Sequence, residues 1–327
     1  MIELKNDQLI VRFPEVHEDA VCRIEFQRTL RIPDDNREYP LPPGLGRFTL
    51  NHVDDYSGKV PAAWNDHGGV FLPMHQAEAM WLNFHSDYPM AVKVAAGKID
   101  ALTGDSWKNE LSENPQDYLV VPDQPWLDGF CVHKGLIRQF VAMPLGEGYT
   151  AEEQLTGDAQ HGGVQIVVYP MKAKIYEERH KHQRMLMEEV CYSLAEPMAD
   201  MGLAPGGLMR QEIYEDHYGF DAWDRSTRSR CFVHILNSVQ FFAVTGAEPL
   251  GKPPTAKQYT DAGLPWFDYY AADQKASDGA KKLAGLDSVA AKKVKKGEGV
   301  LKDNDPVSPA MVKRLHANKQ LVREGDF

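Results

Sequence analysis

The strongest constraint on the fold is the spacing of short β-branched segments up to Pro170. Segments such as "QLIVRF", "GLIRQFVAMPL" and "GGVQIVVYP" are separated by glycine, proline and aspartate. Runs of this length with such breaks are typical of antiparallel sheets. In residues 21–28 polar and apolar side chains alternate, which predicts a strand with one buried face. The sequence therefore predicts a β-rich domain over residues 1–170, built as an antiparallel sandwich or a barrel-like sheet.

Two helical interruptions are predicted inside this β-rich domain. In "PMHQAEAMWLNF" the apolar residues recur at helical spacing and form one stripe, which favours a short helix: Met74, Ala77, Met80, Trp81 and Phe84. In "GEGYTAEEQLTG", Thr150 with Glu153 three residues later matches a capping box. That pair predicts one turn of helix beginning after Thr150.

The pattern changes after Pro170 and predicts a helical domain over residues 171–272. "KAKIYEERHKHQRMLMEEVCYSLAE" contains no glycine or proline and favours a helix that ends near Pro197. "STRSRCFVHILNSVQFFAVTG" favours a second helix, capped by Ser226 or Thr227. A third, short helix is expected from Thr255, with Gln258 completing its capping box. The expected fold class is therefore α+β, with the β-rich part packed against a helical C-terminal part.

Residues 273–327 form a compositionally distinct C-terminal arm. They are rich in Ala, Lys, Gly and Asp and poor in large apolar residues, which predicts an extended or partly flexible segment. They contain 12 Lys and Arg against 8 Asp and Glu, a net charge of +4, whereas the whole chain has a net charge of −11. A basic arm on an acidic body can dock on that body or on a second subunit, so the sequence leaves both intramolecular docking and self-association open.

Composition also bounds the partners and the compartment. The net charge of −11 argues against nonspecific binding to nucleic acid. The most apolar segment, "CFVHILNSVQFFAV", is shorter than the roughly 20 residues that a membrane span requires. The N-terminal residues do not match a secretory signal. Four scattered cysteines without a CxxC pair favour reduced thiols in the cytoplasm.

Several long phrases resemble an uncharacterised protein family found in bacteria and fungi. They include "PLPPGLG", "FLPMHQAEAMWLNF", "QPWLDGF", "RQFVAMPLGEGYTAEEQLTG", "RQEIYED", "FVHILNS" and "AGLPWFDYY". The resemblance extends over nearly the whole chain. Members are often labelled as integral membrane proteins, a label that the hydropathy of this chain contradicts. The resemblance implies no activity, cofactor or catalytic residue.

An acidic segment, "RQEIYEDHYGFDAWDR", is the first candidate site. Its carboxylates and one histidine are the kind of ligands that hold Mg²⁺ or Ca²⁺, and the candidate ligands are Glu212, Glu215, Asp216, His217 and Asp221. The glycine-centred spacing of an EF-hand is missing. The alternative is an acidic connection beside a helix N-terminus, which complements the helix dipole without binding a metal.

A second candidate site combines aromatic and charged residues from two phrases. Arg138 lies in an apolar strand, so it must be paired or point into a pocket. It either forms a buried brace with Asp128 or binds an anionic group in a cleft lined by Trp126. Trp266 and Tyr269 in "PWFDYY" form either a stacking platform for a sugar or base, or an anchor for the connection to the core.

Known catalytic motifs are missing, and this favours one of the two functions that the sequence leaves open. No GxxxxGK[ST], GxGxxG or GxSxG motif occurs. Cys231, His234 and Ser238 are expected to share one helix face and to pack there, since no third orienting residue is identifiable. The sequence favours a binding or assembly protein without an evident cofactor. The alternative is an enzyme, with a divalent metal as the candidate cofactor, whose cleft lies between the β-rich and helical parts.

Overall fold

A computed structural model describes residues 1–180, 200–248, 250–270 and 274–316. Its strands up to residue 100 are β1 (Ile2–Lys5), β2 (Gln8–Arg12), β3 (Val21–Thr29), β4 (Glu38–Tyr39), β5 (Gly44–Arg47), β6 (Asn51–His52), β7 (Val70–Met74), β8 (Ala79–His85), β9 (Met90–Ala96) and β10 (Ile99–Asp100). Those that follow are β11 (Leu119–Val121), β12 (Trp126–Leu127), β13 (Gly129–His133), β14 (Leu136–Pro144), β15 (Val164–Pro170), β16 (Asp200–Arg210), β17 (Ser229–Asn237), β18 (Trp266–Tyr270) and β19 (Val312–His316).

The first seventeen of these strands belong to one sheet. Its main path of hydrogen-bonded neighbours runs β1–β2–β3–β8–β14–β16–β17–β15–β9–β11, and every pair on this path is antiparallel. Two strands join this path in parallel orientation, β4 on β16 and β7 on β17. Strands β18 and β19 form a separate parallel pair. The β-rich, antiparallel part of the prediction is confirmed.

The helices of the described residues are short. They are α1 (Ala62–His67), α2 (Ala151–Thr156), α3 (Ala173–His180), α4 (Phe241–Thr245), α5 (Ala256–Asp261), α6 (Lys281–Ala284) and α7 (Val289–Lys295), with 3₁₀ turns at Asp54–Tyr56 and Phe220–Ala222. Both predicted capping boxes are present, Thr150 with Glu153 at α2 and Thr255 with Gln258 at α5. None of these helices is long and apolar enough to cross a membrane.

The predicted α+β class with a helical C-terminal part is wrong. The segment from Ser229 to Asn237, expected as a helix, is strand β17, and it lies between β7 and β15 in the main sheet. Six consecutive residues of this strand are buried. A continuously buried strand and a buried helix have the same apolar pattern, so pairing partners decide between them. Here both strand edges find partners, and only α4 remains helical.

Two further helix predictions have different outcomes. "AMWLNFH" is strand β8, because residues 79–85 pair with β3 over the whole length, and the chain turns before it at Ala77 with a φ of 63°. The first predicted helix after Pro170 begins as α3. Its continuation over residues 181–199 lies outside the described residues, and His182 and Cys191 lie there.

The domain boundaries after residues 170 and 272 stay predictions, although β16 and β17 extend the sheet of residues 1–170.

The C-terminal arm packs on the sheet in its described part. Leu283, Leu286, Val289 and Leu301 are buried. A loop after β3 holds the arm by hydrogen bonds: the Ala290 amide donates to Asp34 Oδ2 at 2.7 Å, and the Asp34 amide donates to Asn304 Oδ1 at 2.9 Å. Since the arm crosses several strands, its side chains form walls for surface clefts of the sheet.

Candidate functional site

A cleft of about 560 Å³ lies where the arm meets the acidic segment. Four stretches of chain form its walls: the turn after β10 with Thr103 and Asp105, a loop at residues 113–118, the acidic segment at residues 215–220, and the arm at residues 277–282. These stretches are up to about 180 residues apart in the chain. The sheet topology therefore creates this cleft, which no single segment could form.

Asp216 fixes the floor of the cleft. Its Oδ2 accepts hydrogen bonds from the Tyr118 hydroxyl at 2.6 Å and from Trp223 Nε1 at 2.8 Å. Its Oδ1 accepts the backbone amides of Tyr218 at 2.8 Å and Gly219 at 3.2 Å. A carboxylate has about four lone-pair positions, and all of them are occupied here. Asp216 therefore holds the walls together and has no free oxygen lone pair for a ligand.

The arm wall is attached through its backbone. The Ser277 amide donates to Ile213 O at 2.7 Å, and the Ala280 amide donates to Cys131 O at 2.9 Å. Between them Gly279 lies so close to β13 that a Cβ atom built there would be 2.2 Å from His133 N. Only glycine fits at this contact, so the backbone of the arm can lie directly against β13 here.

The lining of the cleft is strongly acidic. It has two cationic side chains, Lys281 and Lys282, against five carboxylates: Asp105, Glu113, Glu215, Asp216 and Asp278. Lys282 pairs with Asp105, and Lys275 pairs with Glu215 at 2.7 Å. In the described part of the chain neither Glu113 nor Asp278 forms a salt bridge, although the charge of Asp278 acts on Lys275 and helps to raise its pKa. Beside these carboxylates, the half-buried Phe220 adds aromatic surface, whereas Tyr118 is almost completely buried.

The structure separates the predicted metal ligands. Glu215 and Asp216 line the cleft, but His217 turns away and places Nε2 3.8 Å from Asp123 Oδ2. Asp221 is 93% exposed and pairs with Arg225, and Glu212 does not line the cleft. Among the described residues no group of three or more His, Cys, Asp or Glu side chains is arranged to hold a metal ion. The metal site stays a prediction.

The predicted aromatic site is largely a packed cluster. Trp126 meets Tyr269 edge to face, with ring centroids 4.7 Å apart. Trp266 is fully buried and donates from Nε1 to the Thr260 hydroxyl at 3.2 Å. These three rings share one apolar cluster. The cluster favours the interpretation that "PWFDYY" anchors the chain to the core.

Arg138 and Asp128, the charged members of that site, do not pair with each other. Arg138 donates from Nη1 to Gly206 O at 3.1 Å and lies 3.8 Å from Asp34 Oδ1. Asp128 is buried, with Oδ2 lacking a hydrogen-bond partner in the described structure. Burial raises the pKa of this carboxyl to about 7, against the effect of a hydrogen bond from Trp126.

Cys231 and His234 lie on strand β17 instead of a helix. Residues three apart on a strand point to opposite faces, so the thiol and the imidazole do not form a pair. Burial raises the pKa of Cys231 to about 12 and lowers that of His234 to about 4. His234 stacks on Trp64, with ring centroids 4.4 Å apart. Both side chains pack, as the sequence had indicated.

Comparison of this chain with protein-family models, curated proteins and solved structures found no match. Function therefore has to be argued from the chemistry of the site. Sequence reasoning found Glu215 and Asp216 but missed Glu113, Phe220 and Asp278, which complete the cleft. Glu113 and Asp278 lie in ordinary polar loops without a local signal, whereas Phe220 lies inside the acidic segment, of which only the carboxylates and the histidine were predicted as site residues.

Proposed function

We propose that this protein is a binding protein that takes a small organic cation, an alkylammonium compound, into the acidic cleft. The volume of about 560 Å³ falls within the range of small-molecule sites. The observation that carries the proposal is the excess of five carboxylates over two ammonium groups in the lining. Such an excess in a concave site raises the local concentration of cations.

The ring of Phe220 favours an organic cation over a bare metal ion. It is half-buried and lies in the same walls as the carboxylates. Aromatic faces attract alkylammonium groups through their quadrupole and also contact the alkyl carbons. A divalent ion instead needs several converging oxygens at 2.0–2.6 Å, roughly. Asp216 has no free lone pair for such an ion, since all four lone-pair positions of its carboxylate accept protein hydrogen bonds.

The lining also favours binding over catalysis. Neither histidine nor cysteine is among the described residues that line the cleft, so the groups most used for general base and thiolate chemistry are missing there. Three of the four cysteines lie buried with free thiols, Cys22, Cys131 and Cys231. Free thiols support a cytoplasmic location as part of this proposal.

Isothermal titration calorimetry with putrescine and tetramethylammonium tests the proposal. The probe variant is Glu113→Gln/Asp278→Asn, which removes two cleft carboxylates that form no salt bridge in the described part of the chain. The matched control is Glu15→Gln/Glu18→Gln, which removes the same charge from exposed positions elsewhere. We expect the probe variant to weaken amine binding about tenfold, or about 1.4 kcal/mol, and the control to leave it unchanged.

Two results would overturn this function. Equal weakening by the control would show that only the net charge of the protein attracts the amine. Tighter binding of Ca²⁺ or Mg²⁺ than of either amine, lost in the probe variant, would assign the cleft to a metal instead.

A further inference from the structure

A second cleft, of about 580 Å³, is lined by another stretch of the arm and has the opposite charge. It is formed by Arg31, by the turn at residues 75–78 before β8, by residues 252–255 before α5, and by the arm at residues 293 and 299–303. The acidic cleft uses residues 277–282 of the arm, so the two clefts share no lining residue.

The lining carries four cationic side chains against two carboxylates. The cations are Arg31, Lys252, Lys293 and Lys302, and the carboxylates are Glu78 and Asp303. Glu78 is buried and already accepts from Arg28 Nε at 2.7 Å and from the His75 amide at 2.8 Å. The guanidinium of Arg28 therefore neutralises the charge of Glu78. In a chain with a net charge of −11, this local excess of cations needs a physical reason.

Two of the cations have no protein partner. Lys252 and Lys302 are exposed, and no carboxylate pairs with either ammonium group in the described part of the chain. Lys293, by contrast, donates to Glu298 Oε2 at 2.7 Å. Like charges collected in one concave site repel each other unless an anion lies between them. The two free ammonium groups match the charge of a dianion.

Arg31 gives the cleft a fixed base. Its Nη1 donates to Asn304 Oδ1 at 3.1 Å, and its Nη2 donates to the carbonyl of Lys302 at 2.6 Å. The guanidinium thus positions the arm residue that carries one of the free ammonium groups. The carboxylates of Asp303 and Asp34 act on this guanidinium, so the net positive charge of the cleft comes mainly from its lysines.

One wall of the cleft is apolar. Pro253, Pro254 and Leu301 line it, and Val300 beside them is 78% exposed. An exposed valine next to two prolines and a leucine gives a ligand with a hydrocarbon body a surface to cover. An inorganic anion would leave this wall in contact with water.

We propose that the second cleft binds a small phosphomonoester, with the phosphate between Lys252 and Lys302 and the organic body on the Pro253–Val300 wall. Lysine ammonium groups bind phosphate as point charges, and a phosphate monoester carries nearly two negative charges at neutral pH. The charge therefore matches better than that of a monocarboxylate. This site stands independently of the amine cleft.

Titration calorimetry at pH 7.5 and constant ionic strength tests this site with three probes. Phenyl phosphate has the dianion and the apolar body, inorganic phosphate has only the charge, and benzoate has a ring with a single charge. We expect phenyl phosphate to bind at least tenfold more tightly than either of the other two. The variant Lys252→Gln/Lys302→Gln should weaken phenyl phosphate binding at least tenfold.

The controls separate this site from general charge effects and from the amine cleft. Lys5→Gln/Lys134→Gln removes two exposed lysines elsewhere and should leave phenyl phosphate binding unchanged. Glu113→Gln/Asp278→Asn should also leave it unchanged. Unweakened binding in the Lys252/Lys302 variant would overturn the site. Benzoate or inorganic phosphate binding as tightly as phenyl phosphate would overturn the ligand class.

Discussion

The Tyr118 hydroxyl donates a 2.6 Å hydrogen bond to Asp216 Oδ2 and so joins the loop before β11 to the acidic segment. Burial, together with this carboxylate, raises the pKa of Tyr118 well above its ordinary value, so the phenol remains a donor. Trp223 Nε1 donates to the same oxygen. One carboxylate thus holds the acidic segment, because it accepts the hydrogen bonds of two buried aromatic side chains that have no access to water.

The substitution Asp216→Asn tests this role. The asparagine amide nitrogen cannot accept a hydrogen bond, so either the two aromatic donors or the two backbone amides lose their acceptor. Unsatisfied buried donors cost about 1–3 kcal/mol each, so we expect the free energy of unfolding to fall by about 2–4 kcal/mol in urea denaturation. Asp221→Asn, at a side chain that is 93% exposed, is the control and should change little. A small loss for Asp216→Asn would show that the segment is held elsewhere.

Local signals predicted those parts of the fold that local physics controls. The alternation in residues 21–28 identified β3, and the capping boxes at Thr150 and Thr255 identified α2 and α5. Their side chains interact with neighbours within a few residues. Strand β17 was missed because most of its pairing is with β7 and β15, which lie more than 50 residues away, and its apolar pattern alone fits a helix as well.

Only part of the candidate site could be predicted from the sequence, again because its residues come from distant segments of the chain. The acidic segment has an unusual composition, which identified Glu215 and Asp216. Glu113 and Asp278 lie in loops of ordinary composition, about 100 and 60 residues away. The register of the arm against residues 213–215 brings them together, and nothing in a single sequence reports that register.

Gly279→Ala is predicted to displace the arm. A Cβ atom at this position would lie 2.2 Å from His133 N, a contact with backbone that cannot rotate away. Overpacking of this kind costs about 1–3 kcal/mol. Hydrogen exchange should become faster at the amides of Ser277 and Ala280, and amine binding should weaken because the cleft wall moves. Gly58→Ala, where nothing lies within 4 Å of the new atom, is the matched control. Unchanged exchange at both amides would contradict the predicted displacement.

Asp128→Asn is predicted to stabilise the protein at alkaline pH. Burial raises the pKa of the folded-state carboxyl to about 7 from 3.8, so the wild type loses stability as the pH rises from about 4 to above 7. Asparagine removes this loss and keeps an oxygen that accepts from Trp126. At pH 8 the free energy of unfolding of the variant should exceed that of the wild type by about 2–4 kcal/mol. This difference should vanish near pH 4. Asp158→Asn, at an exposed site, should show no such slope. A constant difference across the pH range would contradict the predicted ionisation of Asp128.

His234 should have the opposite pH dependence. Burial lowers its folded-state pKa to about 4 from 6.5, so stability is lost as the pH falls through this interval. His234→Phe keeps the stacking on Trp64 but removes the hydrogen bond between Nε2 and Gly68 O. The variant should therefore be about 1 kcal/mol less stable at pH 7.5. Between pH 6.5 and pH 4.5 the free energy of unfolding, measured in urea, should fall by about 2 kcal/mol less in this variant than in the wild type. The control His52→Phe, at an exposed site, should keep the pH dependence of the wild type. Equal acid sensitivity of His234→Phe and the wild type would show that another group controls unfolding in acid.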